Sequence, residues 1–336
     1  MNKASRRQVL VGGTALAATG CFPDVGGQWA QLTAACTDEG DIVPITTSSP
    51  VAETVRADAV LVDASTRHTT VVAGPVRAML DTVLAALVPG GQPWRTILPD
   101  WTPATRIGIK VNALNPSCPT SPLLVRAVVD SLVEQLGASR DTIIVWDRRL
   151  QELTAAGYTE ELIGAKLMGT VDSVGYGDSC CGVVANAVPR LSRILTEVTD
   201  LTINMPVLKK HGICGVTGAL KNTYGVIDNP GDYHTNINTA LPLLYRLPLI
   251  RRRFRFHILD ALVAVTNGDT ASNSDAVPQR LLASSDPVAL DYRATALVDE
   301  LRKNAGYGPV DRSIMGWLEN AQAAGLGSRQ YHVVGG

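Results

Sequence analysis

From about residue 55 onward, short apolar runs rich in β-branched residues alternate with segments whose apolar residues recur at helical spacing. No other feature limits the possible folds as strongly. Ala59 to Val62, Arg106 to Val111, Thr142 to Trp146, Leu201 to Met205 and Phe256 to Leu259 have the length and composition of strands. Pro75 to Leu87 and Pro122 to Leu136 read instead as amphipathic helices. The second has Ser121 as N-cap, Pro122 at the first helical position and Gly137 just past its end. Asp286-Pro287 opens another helix through Val288, Leu290, Ala294, Leu297 and Leu301. Such alternation predicts an α/β domain, a mostly parallel or mixed sheet flanked by helices, over residues 55–336. A chain of 336 residues is long enough to give it a sizeable core.

The segments before it read differently. Ser5-Arg6-Arg7-Gln8-Val9-Leu10, followed by an apolar run to Ala18, resembles a twin-arginine export signal, with Val9 and Val11 where Phe and Lys are usual. The run from Val9 to Ala18 is about half of what spans a bilayer, so a cleavable signal over residues 1–21 is expected rather than an anchor helix. Ala18-Thr19-Gly20-Cys21 has the small residues of a lipoprotein cleavage box, which would make Cys21 a lipidated N-terminus. The expected partners are therefore the twin-arginine translocase and, through that lipid, a membrane; the expected place is the periplasm or a membrane surface. Residues 22–54, rich in Gly, Thr, Ser and Pro, are expected to be a flexible tether.

A formal net charge of −1 and 18% charged residues give no basis for a nucleic-acid partner. The one strong charge run, Arg251-Arg252-Arg253-Phe254-Arg255, reads as a solvated loop before a strand, with an anionic membrane or substrate contact as the rival reading. The six cysteines are Cys21, Cys36, Cys118, Cys180, Cys181 and Cys214. None form a Cys-x-x-Cys, so neither a zinc ribbon nor an iron–sulfur cluster is expected. The adjacent Cys180 and Cys181, with Cys214, leave a redox or soft-metal site open beside the plainer reading of buried thiols or disulfides.

In a parallel sheet, ligands gather beyond the carboxyl ends of the strands, so the residues leaving each strand matter most. Here they are Asp63, then Lys110 and Asn112, then Asp147-Arg148-Arg149, then Asn204 leading to Lys209-Lys210-His211, and finally Asp260. The densest polar stretch is Asn204-Met205-Pro206-Val207-Leu208-Lys209-Lys210-His211, followed by Thr217-Gly218-Ala219-Leu220-Lys221-Asn222-Thr223-Tyr224-Gly225. These two segments resemble the paired motifs of the DUF362 family, Asn-x-Pro-x-x-Lys-x-His and Thr-Gly-x-x-Lys-Asn-x-x-Gly. Lys110-Val111-Asn112 is similar to that family's early Lys-x-Asn strand. Ser284-Ser285-Asp286-Pro287-Val288-Ala289-Leu290-Asp291 is similar to its Ser-x-Asp-Pro-Val-Ala-x-Asp helix start. The resemblance spans roughly residues 58–305 and implies no particular reaction, since the family has no assigned general function.

Lysines 110, 209, 210 and 221 beside several amides make a site of positive potential with directional donors, which suits a carboxylate or phosphate. Gly215 and Gly218 would let backbone amides approach an anion if the next segment opens a helix. The expected catalytic residues are His211 as acid/base, with Lys221 and Lys209 stabilising negative charge; Lys110, Asn112, Asn204 and Asn222 are expected to bind substrate. A divalent metal on His211, His234, Asp260 and Asp291 is a further expectation, with Asp232 an alternative carboxylate. Plainer roles compete: Asp286 as a helix N-cap, Asp291 as a partner of Arg293, Lys221 and Asn222 as caps of buried carbonyls. No Gly-x-Ser-x-Gly, P-loop or Gly-x-Gly-x-x-Gly occurs, which disfavours a serine hydrolase, an NTPase and a Rossmann dehydrogenase. Three readings stay open: a metal-assisted or metal-free enzyme acting on a small anion, a lipoprotein that binds an anion or metal without turnover, and a cysteine-based electron-transfer protein.

Overall fold

The computed structural model describes residues 48–177, 184 and 188–335. Within that span the strands are β1 (Ser49–Val55), β2 (Val60–Val62), β3 (Thr69–Val71), β4 (Ile107–Lys110), β5 (Ile143–Asp147), β6 (Lys166–Gly169), β7 (Tyr176–Gly177), β8 (Leu191–Ser192), β9 (Leu201–Asn204), β10 (Val207–His211), β11 (Gly215–Thr217), β12 (Phe254–Val265), β13 (Arg280–Ser284) and β14 (Tyr331–Val334). Ten of them join one mixed sheet in the order β14-β1-β13-β12-β9-β4-β5-β6, with β10 beside β12 and β11 beside β10. The block β12-β9-β4-β5-β6 is parallel, whereas β13 runs antiparallel to both β12 and β1. The α/β class read from the alternation is the observed one.

Successive residues of a strand point to opposite faces, and both faces of this sheet are apolar. Ile107, Ile109, Ile143 and Val145 are buried beneath the helices Ala73–Leu87 and Pro122–Ser131. On the other face, Ile144 and Trp146 share a core with the helices Ile237–Arg246, Pro287–Asn304 and Gly316–Ala323. The result is three layers, helix on sheet on helix.

Several local expectations need correction. The tether was expected to reach residue 54, yet Ser49–Val55 is a strand paired on both edges, by β13 and β14. Its Val51 and Ala52 are fully buried, one in each core, and that alternation outweighs the Ser/Pro-rich run before it. Val60–Val62 pairs only with β3 in a separate hairpin, so Asp63 lies outside the main sheet, where its carboxylate holds the Ser65 and Thr66 amides. The arginine-rich run is not a loop: Pro248–Arg253 is helical and Phe254 starts β12. There Arg253 donates to the Thr199 carbonyl at 2.6 Å and Arg255 pairs with Asp100 at 2.6 Å. Ser121 occupies its expected N-cap position, but its backbone amide is what matters, donating to Asp260. No helix among the described residues is long and apolar enough to cross a membrane.

One topological feature positions the site. The chain leaves β4 toward β5 and β6 on one side, while β9 lies on the other side of β4 and leads on to β10 and β12. Connections therefore diverge at the carboxyl ends of β4 and β9, where Lys110 and Asn204 are register partners. A crevice must open at such a switch point.

Candidate functional site

A cleft of about 310 Å³ occupies that crevice. Its lining includes Lys110 and Asn112 from the end of β4, Asp147 at the end of β5 with Arg148 just after it, Lys209 and His211 from β10, Lys221 and Asn222 from the short helix Ala219–Asn222, Tyr224 from the 3-10 turn Thr223–Val226, and His234 just after a second such turn, Pro230–Tyr233. Period-two alternation selects the β10 pair: Lys209 and His211 face the cleft, whereas Lys210 points away to the Gly268 carbonyl. The structure thus brings Lys110, Asn112, Lys209, His211, Lys221, Asn222 and His234, all named from the sequence, onto the wall of one cleft. Asn204 sits one layer behind, fully buried.

The three lysines differ in their surroundings. Lys110 Nζ is 2.7 Å from Asp147 Oδ1 and donates to the Val111 carbonyl at 2.6 Å, so its charge is neutralised inside the protein. Gly225 closes over this pair; a Cβ there would lie 2.6 Å from Lys110 Nζ. Lys209, 1% exposed, donates to Asn112 Oδ1 at 3.1 Å, and burial lowers its pKa despite Asp147 and Asp260 nearby. Lys221 has no hydrogen bond or ion pair among the described residues. Its ammonium lies 3.9 Å from the centre of the Tyr224 ring, and burial brings its pKa down to about 8.

Amides link these groups in one direction. Lys209 donates to Asn112, Asn112 to Asn222 Oδ1, and Asn222 to Asn204 Oδ1. Asn204 then donates to the Ala219 carbonyl and contacts His257 Nδ1 at 3.1 Å. His257 Nε2 reaches Tyr245 Oη at 3.2 Å. Full burial pushes the His257 pKa down to about 3, so it is a neutral anchor for the chain rather than a titrating group. Sequence reasoning missed His257 because a lone histidine in an apolar strand gives no signal of such a partner.

The two cleft histidines lie 5.7 Å apart, stacked with ring planes 23° from parallel. His211 Nδ1 accepts the Ile213 amide at 3.0 Å, which places the proton of the neutral ring on Nε2. His234 Nδ1 lies 2.8 Å from the Pro230 carbonyl and must donate to it, which leaves Nε2 with a lone pair. Burial, then the charge of Lys221, pushes His211 down to about 4, against the opposing pull of Asp269. The same two causes lower His234. The rings are therefore neutral at physiological pH and carry opposite tautomers, one presenting a donor and the other an acceptor.

The expected metal set does not assemble. Asp291 accepts the Ala219 amide at 2.5 Å and the Leu220 amide at 3.0 Å, capping the short helix from outside the cleft. It therefore does not pair with Arg293, which binds Glu53. This cap also answers the expected anion site at that helix start: its amides are taken by the Asp291 carboxyl. Gly218 is required because a Cβ there would collide with the Asp291 carboxylate. Asp260 accepts the Ser121 and Leu262 amides, and Asp232 accepts from Asn229. Burial raises Asp260 to about 6 and Asp291 to about 7. Among the described residues no group of three or more His, Cys, Asp or Glu is placed to hold a metal ion.

Asp286 accepts the Val288 and Ala289 amides, as an N-cap should. Cys214 lies buried in the core with its thiol pushed up to about 12, and donates to the Val216 carbonyl. Its expected partners Cys180 and Cys181 lie outside the described residues, as do Cys21 and the export signal. Residues that sequence reasoning did not assign to the site are Asp147, Arg148, Glu152 and Tyr224. Asp147 and Arg148 were visible as a charged strand exit. Arg148 brings its positive charge to the cleft wall, with its side chain against the Tyr176 hydroxyl.

Comparison with known proteins yields one family. No curated protein matches the chain. Among solved structures, the lactate racemase apoprotein from Thermoanaerobacterium thermosaccharolyticum is 11% identical with a TM-score of 0.46, over 68% of this chain and 56% of that one. A protein from Thermotoga maritima is 10% identical with a TM-score of 0.40, over 70% of this chain and 59% of that one. This chain spans less than two thirds of the length of either. The model of the DUF362 family, a domain of unknown function, matches residues 107–296, more than half of the chain and all of the strand exits that line the cleft. The chain belongs to the DUF362 family.

Proposed function

We propose that the cleft binds a small carboxylate- or phosphate-bearing molecule and moves a proton on it, with His234 as the base and His211 as a hydrogen-bond donor to the oxygen that gains negative charge. The observation that carries this reading is the pair of opposed, backbone-set tautomers, His211 with its proton on Nε2 and His234 with its lone pair there. A neutral imidazole is the stronger choice for both tasks, because a base must be unprotonated and a neutral donor is not lost as pH rises. Lys209 and Arg148 supply positive charge and donors for the anionic end. Asn112 and Asn222, fixed by the amide chain to His257, hold that geometry without reorganising during the reaction.

The test is proton exchange. The purified chain in D₂O with a panel of small carboxylates whose α-C–H is acidic, pyruvate among them, should catalyse α-deuteration seen by NMR. His234→Gln should abolish exchange while leaving the ligand-induced rise in melting temperature. If both variant and wild type bind anions and neither exchanges protons, the site is a binding site without turnover. We also propose, from the sequence of residues 1–21, that the protein is exported by the twin-arginine route and tethered through a lipidated Cys21. Loss of membrane association on Cys21→Ala checks the second half of that proposal.

A further inference from the structure

We propose that Lys221 is a covalent catalyst, forming an imine with a substrate that carries a ketone or aldehyde next to its carboxylate. This deepens the reading of the cleft as a proton-transfer site and narrows its substrates to oxo acids. Among the three cleft lysines only Lys221 keeps its nitrogen free. Lys110 is bound to Asp147 and the Val111 carbonyl, and Lys209 to Asn112. Lys221 is 9% exposed and lines the cleft, so its unpaired nitrogen is open to a molecule bound there. Tyr224 touches both amine and base, its ring lying 3.9 Å from the Lys221 nitrogen and 5.3 Å from the His234 ring at right angles to it, and the charge of Lys221 is felt at His234. An amine in such desolvated surroundings is a recurrent route to a nucleophilic lysine.

The step balances without any further reagent. Lys221 begins as an ammonium with three N–H protons. His234 Nε2 takes one, and the freed lone pair forms the N–C bond as the carbonyl π pair moves to oxygen. That proton, returned by His234, makes the carbinolamine hydroxyl. A second N–H proton follows the same path and the oxygen leaves as water, so the C–O bond breaks as C=N forms. One proton stays on nitrogen, giving a protonated imine that carries the original charge. His211 Nε2–H steadies the oxygen throughout by hydrogen bonding, without giving up its proton. Such an imine acidifies the neighbouring C–H, which is the proton His234 is placed to take.

The amine should react early for its type. An ordinary solvated lysine titrates near 10.4, so at neutral pH Lys221, at about 8, has roughly a two-hundredfold larger free-amine fraction. The experiment incubates the full chain with pyruvate and cyanoborohydride and maps the reduced adducts by peptide mass spectrometry. Lys221 should label about two-hundredfold faster than the exposed Lys166 and Lys303. Lys221→Arg should lose the adduct yet still gain melting temperature from pyruvate, which shows an intact site. Absence of an adduct, or equal labelling of Lys166, Lys303 and Lys221, overturns the proposal. In that case α-deuteration of pyruvate, if present, leaves the proton-transfer reading standing with Lys221 as a binding cation only. Selective labelling without α-deuteration supports the imine and instead overturns the role given to His234.

Discussion

Asp147→Asn tests whether the crevice is held open by a buried ion pair. Lys110 and Asp147 side chains are 1% and 6% exposed and meet at 2.7 Å across the ends of neighbouring parallel strands. Removing the carboxylate charge leaves an uncompensated buried ammonium, a change that costs about 3–5 kcal/mol. Asp147 also accepts the Ala113 amide at 2.7 Å and the Arg148 amide at 2.8 Å. An asparagine side chain has one oxygen, so one of those amides loses its acceptor at a further cost of about 1–3 kcal/mol. The expected loss of about 4–8 kcal/mol rivals the whole stability of an ordinary domain. Lys110→Met should cost less, because the carboxylate left behind keeps both amides. The double variant should be more stable than Asp147→Asn alone, with a coupling of about 3 kcal/mol between the two positions. Urea unfolding followed by circular dichroism measures all four proteins, with an extrapolation error of about 10–15% that is small beside the effect. A loss below about 1 kcal/mol for Asp147→Asn, the range of an exposed pair, or full additivity in the double variant, would refute the argument.

Four other outcomes follow from the site. Because burial and the charge of Lys221 lower the pKa of the base His234, proton exchange should persist to more acid pH than an ordinary histidine would allow, and an acid limb at or above the usual histidine range would contradict this. Lys221→Met should raise the pKa of both His211 and His234 by removing that charge, a change read from their imidazole ¹⁵N shifts; unmoved titrations would show that the lysine is not felt there. Asp291 is raised to about 7, so the stability it adds is complete below about pH 4 and is lost as pH rises through 7. The stability lead of wild type over Asp291→Asn should therefore shrink between mildly acid and mildly alkaline buffers, and a widening lead would reverse the sign of that argument. Gly218→Ala drives a Cβ into the Asp291 carboxylate, with an expected loss of about 1–3 kcal/mol and weaker anion-induced stabilisation, since Lys221 and Asn222 ride on the helix that Asp291 caps.

Local chemistry was legible in the sequence, and pairings across the fold were not. The Lys-x-Asn exit at Lys110, the alternation of Lys209 and His211 and the N-cap at Asp286 all follow from spacing along one segment. Asp291 was misread as a ligand because its targets, the Ala219 and Leu220 amides, lie some seventy residues away across a helix crossing. The Asp147 carboxylate was seen at a strand end but not matched to Lys110, since only the parallel neighbour relation of β4 and β5 brings the two together. β1 was lost for the same reason: two strands from the far end of the chain make its Ser/Pro-rich run buried.

The histidines are the instructive case, because what divides their roles is local and still could not be read. His211 is set by an amide two residues on, and His234 by a carbonyl four residues back. Either histidine would present the same formula in a sequence, yet one turn offers an N–H and the other a C=O, and that difference alone makes one ring a donor and the other a base. A ligand that needs only charge would not require it, since Lys209 and Lys221 already supply charge. Opposite tautomers, kept neutral by burial beside a buried lysine, make sense for a cleft in which a proton must leave one atom while a neighbouring oxygen is held. Substituting His234 by Gln while sparing His211 therefore separates proton transfer from binding, and no loss of exchange in that variant would mean that the tautomers serve the turns rather than the chemistry.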